Sequence, residues 1–321
     1  MAAGRGRPCG AKIKPLVSCG GPPMKIHNTA VIDEDAVLAP DVSVGPFAVI
    51  GPGVSIGRGT VIDSHAVVVC NTRIGSGCRI HSNAVIGGDP QDLGYDGQPS
   101  YVEIGDRTSV REFVTISRGS HGRMLTSVGN DCLLMAGVHI AHDCQVGNNV
   151  IMSNLATLAG HITVEDRVII GGLAAFHQFV RIGRMAMIGG TAGVMNDVPP
   201  FCMVQGAPPA TIRGLNLVGL SRNGVDSRSQ RALKHAFRLL FNRGMTREDA
   251  IEEIQQSVEL TPEVRHMIDF VSNPSRRGVC RSEGSRKNRL SVVEGGEEPQ
   301  LRGIPGAQLP DEPTGTDSGS Q

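Results

Sequence analysis

The chain has no tryptophan, and aromatic residues make up only 3% of its 321 residues. A core without large rings is expected to be narrow and filled by aliphatic side chains. The chain also lacks an excess of either charge, because 31 basic and 31 acidic residues balance. This balance argues against binding of nucleic acid or of a membrane surface through bulk charge. No apolar run approaches the roughly 20 residues of a membrane span.

The eight cysteines are scattered, and none belongs to a CxxC pair. Cys78, Cys132 and Cys144 stand where the repeat described below keeps its residues small, so we predict that they are small buried hydrophobes. This cysteine usage is typical of a reducing compartment, and we therefore predict a cytoplasmic protein.

Apolar residues recur at every sixth position over most of the chain. Eleven consecutive ones run from Ile26 to Ile86, three from Ile104 to Ile116, and twelve from Val128 to Val194. The fourth residue after each apolar position is small. The residue directly after each apolar position is often glycine, which we expect to adopt backbone conformations that other residues avoid. Such a hexapeptide repeat predicts a parallel β-helix in which each hexapeptide forms a short strand and a corner, and three form an 18-residue coil.

Changes in composition divide the chain into four parts. Residues 1–23 are rich in glycine and proline, lack the apolar segment of a signal peptide, and are expected to be a disordered extension. The β-helix is predicted over 24–200, with loops at 88–101 and 119–126 on the functional face. A C-terminal helical domain over 201–272 would close the open end of the solenoid. Residues 273–321 lack apolar periodicity and are expected to be a disordered tail.

Capping residues predict three helices in the C-terminal domain. Asp226 precedes an apolar stripe that includes Leu233 and Phe237, and Thr246 with Asp249 forms a start resembling a capping box. Thr261 followed by proline begins the third helix.

Four of the ten histidines lie between residues 135 and 179, namely His139, His142, His161 and His177. Because an 18-residue coil places residues n and n+18 above one another, two neighbouring columns follow: His142, Gly160 and Gln178, and beside them Asp143, His161 and Phe179. A histidine with an orienting carboxylate is the usual general base near neutral pH, and the Gly160 N–H could bind an oxyanion. The alternative is a solvated surface histidine, separated from Asp143 by the alternation of side chains.

Two further features allow alternative interpretations. Histidines of trimeric solenoids can share a zinc ion, but the spacing here does not favour this, and we predict no metal. Gly171-Gly172 and Gly189-Gly190 are 18 residues apart and stack. They predict either a smooth groove for an extended chain or ordinary corner glycines.

Several segments resemble the family of acyl-carrier-protein–UDP-N-acetylglucosamine O-acyltransferases, the first enzymes of lipid A synthesis. They are GGDPQDL (87–93), IGDRTSVREFVTISRG (104–119), GVHIAHDC (137–144), NLATLAGH (154–161), AFHQF (175–179), DVPPF (197–201) and RGLNLVGLSRNG (213–224). The resemblance covers about residues 24–270 in order. It implies a left-handed β-helix, and transfer of a 3-hydroxyacyl group from acyl-carrier protein to the glucosamine 3-hydroxyl of UDP-N-acetylglucosamine. The functional chain is then expected to start at Met24.

The resemblance also implies a homotrimer with active sites between subunits, and no cofactor beyond the phosphopantetheine of the carrier. His142 matches the general base, Asp143 its supporting acid, and Gly160 the oxyanion donor. Substrate contacts are implied for Gln91, Asp92, His139, His161, His177, Gln178, Gly190, Asn216 and Arg222. Gly190 matches part of a ruler that leaves room for a long acyl chain.

The sequence departs from the family pattern at Gly94, Ser117 and Val218, where lysine, histidine and an acidic residue are common. These departures leave open whether the sugar is the standard one or carries an amine at position 3. The rival functions are an N-acyltransferase of the same pathway, an acetyl-coenzyme A-dependent sugar acetyltransferase, and a non-catalytic solenoid scaffold.

Overall fold

The protein is described here by a computed structural model that covers residues 25–273 and 275–282. These residues form the left-handed parallel β-helix that the repeat predicts, followed by a small helical region. The strands of the first half are β1 (Lys25–Ile26), β2 (Val31–Ile32), β3 (Val37–Leu38), β4 (Ser43–Val44), β5 (Val49–Ile50), β6 (Ser55–Ile56), β7 (Val61–Ile62), β8 (Val67–Val68), β9 (Thr72–Ile74), β10 (Arg79–Ile80), β11 (Val85–Gly88), β12 (Tyr101–Ile104), β13 (Ser109–Val110) and β14 (Thr115–Ser117).

The second half continues with β15 (Leu125–Val128), β16 (Leu133–Leu134), β17 (His139–Ile140), β18 (Gln145–Val146), β19 (Ile151–Met152), β20 (Thr157–Leu158), β21 (Thr163–Val164), β22 (Ile169–Ile170), β23 (Ala175–Phe176), β24 (Arg181–Ile182), β25 (Met187–Ile188), β26 (Gly193–Val194), β27 (Cys202–Gln205) and β28 (Thr211–Leu215). Every third strand joins the same sheet. The first sheet begins β1-β4-β7, the second β2-β5-β8, and the third contains β3, β6 and β9.

The two loops lengthen two of the coils. In the coils without a loop, paired residues are 18 apart, as in Thr157 and Ala175, up to the last coil, where Met187 pairs with Met203 at a separation of 16 residues. Across the first loop the separation rises to 30 residues, between Ser76 and Asp106, and across the second it is 24, between Thr115 and His139. The parallel pairing of the strands continues past both loops, with one register irregularity between Ile86 and Gly88 where the first loop begins.

The sixth-residue positions form the core, and the residues from Leu38 onwards are buried there. Cys78, Cys132 and Cys144 are buried as free thiols at the small positions, as predicted. Burial raises the pKa of the Cys144 thiol to about 12, so this thiol packs as a hydrophobe.

Of the glycines that follow the core residues, Gly87 has the left-handed backbone expected of them, with φ 79°, and the others do not. The left-handed conformation falls two positions later, for example at Phe47 with φ 58°. Glycine is needed after the core residue because the next coil approaches closely. A Cβ added to Gly51 would lie 1.7 Å from the carbonyl oxygen of Val69.

The predicted helices are confirmed, and one more precedes them. The helices are α1 (Leu217–Arg222), α2 (Ser227–Phe241), α3 (Arg247–Ser257) and α4 (Pro262–Ser272). The side chains of Asp226, Thr246 and Thr261 accept hydrogen bonds from the backbone N–H three residues later and so begin α2, α3 and α4. No helix in the part of the chain that the structure describes is long and apolar enough to cross a membrane.

The end of the solenoid differs from the prediction in two ways. The β structure continues past residue 200, because β27 pairs with β25 and β28 then covers its edge as an antiparallel strand. The helices do not simply cap the end, since α4 packs on the flank of the third sheet. There His266 of α4 lies 2.7 Å from a carboxylate oxygen of Glu165, and Phe270 packs under Arg181.

The tail is ordered further than its composition indicates. Asp197 forms a β-bridge with Val279, and Cys280 is only 2% exposed, so the prediction of disorder from residue 273 is wrong for 275–282. Val279, Cys280 and a few backbone hydrogen bonds hold this short segment in place. The segment has no apolar periodicity from which its order could be predicted. The predicted N-terminal extension and the rest of the tail lie outside the described residues.

Candidate active site

His142 and Asp143 form a hydrogen-bonded pair at the corner between β17 and β18. Nδ1 of His142 lies 2.9 Å from Oδ2 of Asp143. Asp143 has a φ of 57°, and this left-handed backbone breaks the alternation that was expected to separate the two side chains. The pair is not a solvated surface feature, because His142 is 5% exposed and Asp143 is 1% exposed.

The two columns predicted from the 18-residue coil are confirmed. A Cβ added to Gly160 would lie 2.5 Å from Cε1 of His142 and 2.6 Å from its Nε2, so only glycine leaves room for the imidazole. In the second column the His161 ring stands edge-on to His142 and stacks on Phe179, with ring centres 4.7 Å apart. Within the described residues the backbone N–H of Gly160 has no hydrogen-bond acceptor.

Both loops close over this pair. The hydroxyl of Ser120 in the second loop donates to Oδ2 of Asp92 in the first loop, at 2.6 Å. The backbone N–H of Ser120 donates to Oδ2 of Asp143 at 2.9 Å. Ser120 therefore links Asp92 to Asp143, and the contact of Asp92 with substrate stays a prediction. Sequence reasoning missed Ser120, because the repeat register does not reach into inserted loops.

The ionisable groups around His142 are tuned by burial. Burial lowers the pKa of His161, with the charge of His142 adding to the shift and Asp143 opposing it. Burial also lowers the pKa of His139. For Asp92, burial acts to raise the pKa, but hydrogen bonds from Ser120 and from the Gly94 N–H outweigh it, and the pKa lies below its ordinary value. The lowered pKa values favour uncharged His139 and His161 and a charged Asp92 around His142 near neutral pH.

Four other predicted substrate residues lie near this corner or in the first loop. His139 is half-buried and shares a hydrogen bond of 2.7 Å with the hydroxyl of Thr115. Gln91, His177 and Gln178 are exposed. Arg277 of the ordered tail donates to the Gln178 carbonyl oxygen and contacts His177.

Gly190, Asn216 and Arg222 are not brought to His142 within one chain. Gly190 lies at a different corner, between β25 and β26. Asn216 is 5% exposed and caps α1, and its amide donates to the Met185 carbonyl oxygen, so the fold itself uses this side chain. Arg222 is exposed in the last turn of α1. Their substrate roles stay predictions.

Of the four glycines in the two pairs, only Gly172 and Gly190 leave space for the predicted groove. A Cβ on Gly171 would lie 2.4 Å from the backbone nitrogen of Gly190, so close packing of the coils explains Gly171. A Cβ on Gly172 or Gly190 would meet only a carbonyl oxygen, at 3.2 and 3.3 Å. These two positions can line a groove.

His142, Asp143 and His161 also place three possible metal-ligand atoms within 4.8 Å of one another. The carboxylate oxygen concerned, Oδ2 of Asp143, already accepts hydrogen bonds from His142 and from the Ser120 N–H. These contacts are those expected of a carboxylate that orients a histidine. That the protein needs no metal stays a prediction.

A hexapeptide β-helix with a buried histidine–aspartate pair at one corner defines a hexapeptide-repeat acyltransferase. The sequence profile of bacterial transferase hexapeptides matches residues 53–88 and 126–160, and that of UDP-N-acetylglucosamine O-acyltransferase domain 2 matches residues 197–280. The acyl-[acyl-carrier-protein]–UDP-N-acetylglucosamine O-acyltransferase of Thermodesulfovibrio yellowstonii is 46% identical over 258 residues, which are 80% of this chain and 99% of that protein. This chain belongs to the UDP-N-acetylglucosamine O-acyltransferase family.

Solved structures agree with this assignment. The UDP-N-acetylglucosamine O-acyltransferase of Moraxella catarrhalis is 42% identical with a TM-score of 0.77, over 80% of this chain and 99% of that one. The UDP-N-acetylglucosamine acyltransferase of Arabidopsis is 35% identical with a TM-score of 0.72, over 80% of this chain and all of that one, 100%. The similarity therefore extends over four fifths of this chain and nearly the whole length of each of these relatives.

Proposed function

We propose that this protein transfers a 3-hydroxyacyl group from acyl-carrier protein to the glucosamine 3-hydroxyl of UDP-N-acetylglucosamine, the first step of lipid A synthesis. The observation that carries the proposal is the buried His142–Asp143 pair with the Gly160 backbone against the imidazole. A histidine oriented by a carboxylate can supply the base that acyl transfer to an alcohol requires, which supports the proposal.

The hydrogen bond to Asp143 sets the direction of proton transfer. With its proton on Nδ1, facing Asp143, the neutral His142 imidazole leaves Nε2 as the basic nitrogen. Nε2 takes the proton of the sugar hydroxyl as the hydroxyl oxygen attacks the thioester carbonyl. The Gly160 N–H donates to the resulting oxyanion. Collapse of the tetrahedral intermediate breaks the C–S bond, and His142 returns the proton to the departing carrier thiol.

The carrier protein is proposed to dock on α2. Arg231, Lys234 and Arg238 are exposed there and unpaired within the described residues, whereas Arg228 is neutralised by Glu259. Lys234 and Arg238 border an apolar groove of about 260 Å³ formed with Leu215, Leu217 and Phe237. Carrier proteins are acidic, so these cations would steer their approach.

A homotrimer would complete the active site. Within one chain, Gly190 lies at another corner from His142, and Arg222 lies on α1. A neighbouring copy of the chain would bring groups such as its own Gly190 and Arg222 to the His142–Asp143 pair. The corner between the first and second sheets exposes large apolar side chains, which contact between copies of the chain would bury. They are Phe47, Phe113, Leu155 and Leu173. Analytical ultracentrifugation should then give three times the chain mass of 33.8 kDa.

Turnover with purified substrates tests the function. We expect product with UDP-N-acetylglucosamine and 3-hydroxyacyl-carrier protein, none with acetyl-coenzyme A as donor, and full activity in the presence of a chelator, since no metal or cofactor is proposed. An acceptor with an amine at position 3 should be run in parallel, because Gly94 and Ser117 leave the sugar open. The reaction is proposed to take place in the cytoplasm.

The His142→Ala variant tests the assigned base. Loss of a general base typically costs on the order of 10²–10⁴ in rate. A His142→Ala variant that keeps more than about a tenth of wild-type kcat contradicts the mechanism.

A further inference from the structure

Ser120 uses all of its polar groups to join the two loops to the catalytic pair. It is fully buried, with 0% exposure. Its N–H donates to Asp143 Oδ2 at 2.9 Å, and its hydroxyl donates to Asp92 Oδ2 at 2.6 Å. Its carbonyl oxygen accepts a hydrogen bond from the side-chain amide of Gln98 at 3.0 Å. One small residue thus contacts the first loop at two points and the base–acid pair at a third.

Asp143 depends on Ser120 for its orientation. Oδ1 of Asp143 is buried and has no hydrogen-bond partner among the described residues. Its carboxylate is therefore held through Oδ2 alone, by Nδ1 of His142 and by the Ser120 N–H. Because Asp143 in turn fixes the His142 imidazole, a displacement of Ser120 displaces the base.

The first loop holds Ser120 in place. The Asp92 carboxylate is charged near neutral pH, and hydrogen bonds to charged acceptors are the stronger kind. A second contact lies further out, where Nε2 of His121 is 2.7 Å from the Gly94 carbonyl oxygen. His121 is exposed, so this outer contact is open to water, whereas Ser120 itself is fully buried.

We propose that Ser120 is a positioning residue for acyl transfer, which couples Asp92 of the first loop to Asp143 and so fixes the orientation of His142. The proposal rests on the proposed function of the His142–Asp143 pair. It gives the first loop a second role besides contact with the sugar. Closure of that loop also sets the geometry of the base.

The Ser120→Ala variant removes the hydroxyl bond to Asp92 and leaves the N–H to Asp143 in place. We expect kcat/KM to fall about tenfold or more, since small misplacements of catalytic groups are costly. The loss should appear in kcat and in KM for the sugar nucleotide, with KM for the carrier protein unchanged. Ser120→Thr keeps the hydroxyl and should recover much of the activity.

A double-mutant cycle separates positioning from a general loss of stability. If Ser120 acts through Asp92, the Ser120→Ala/Asp92→Asn double variant should be no slower than Asp92→Asn alone. Ser229→Ala is the matched control, because Ser229 is buried and its hydroxyl donates to Asp226 at 3.2 Å at the start of α2. It should leave kcat unchanged. Additive losses in the cycle would overturn the proposal.

A measurement that needs no turnover distinguishes failure of this inference from failure of the function. In protein labelled with ¹⁵N-histidine, the Nδ1 resonance of His142 reports its hydrogen bond to Asp143. Ser120→Ala should shift that resonance, and Ser229→Ala should not. An unchanged resonance overturns the positioning role. Failure of the wild type to use any tested substrate, with the resonance shifted by Ser120→Ala, refutes the assigned reaction and leaves the positioning intact.

Discussion

Replacing Gly160 with alanine displaces the proposed base without removing it. The added Cβ would lie 2.5 Å from Cε1 of His142 and 2.6 Å from Nε2, whereas carbon atoms in favourable contact are about 3.5–4.0 Å apart. The imidazole must therefore move by about 1 Å, because the backbone of Gly160 is fixed by the coils on either side. Its carbonyl oxygen accepts from the Phe179 N–H, and the following residue, His161, donates to the His142 carbonyl oxygen.

A displacement of about 1 Å at a reacting group can cost about 100-fold in rate. We expect Gly160→Ala to lower kcat by about that factor, while Tm changes little because the clash is with a side chain that can move. The N–H of residue 160 is retained, so the loss reports the base and not the oxyanion donor. Steady-state turnover and thermal melts of the same preparations provide both measurements.

Two other glycines are matched controls for this experiment. Gly88 has no atom within 4 Å of an added Cβ, so Gly88→Ala should leave kcat and Tm unchanged. Gly129→Ala would place Cβ 2.6 Å from the backbone of Gly147, and should lower Tm through a backbone clash. A Gly160→Ala enzyme with kcat within about threefold of wild type would refute the deduced packing of the base.

Three further predictions concern specificity, docking and stability. Gly190→Met should shift kcat/KM toward shorter acyl donors, since each methylene excluded from the groove costs about 0.8 kcal/mol; an unchanged profile over a donor-length series would place the groove elsewhere. Charge reversal at Arg231 and Lys234 should raise KM for the carrier and not for the sugar nucleotide, whereas equal effects on both would indicate misfolding. The hydrogen bond to Glu165 raises the pKa of His266, against an opposing effect of burial. The stability gained from this pair should therefore be complete below about pH 6.5 and lost as pH rises through the raised pKa. Melts of wild type and His266→Gln should differ more at pH 5.5 than at pH 8.5, and a constant difference would contradict the linkage.

The solenoid and the stacking of its corners follow from the hexapeptide repeat alone. Each hexapeptide repeats one local geometry, and parallel hydrogen bonds connect each residue to the one a coil away. The 18-residue length of a coil therefore predicts that Gly160 lies above His142, and that His161 lies between Asp143 and Phe179. The helix starts at Asp226, Thr246 and Thr261 were equally predictable, because a cap bonds to an N–H only three residues away.

The contacts that the repeat does not encode form only when distant segments of the folded chain meet. The inserted loops have no period, so the meeting of Asp92, Ser120 and Asp143 depends on how two segments that are separated in sequence close over one corner. The pairing of His142 with Asp143 depends on a left-handed backbone that the corner imposes on an aspartate. The burial of Cys280 depends on contacts about 80 residues away in the chain. Local repetition can be read from sequence because its hydrogen-bond partners lie at fixed separations. Loop closure and tail packing cannot, because their partners are set only when the whole chain has folded.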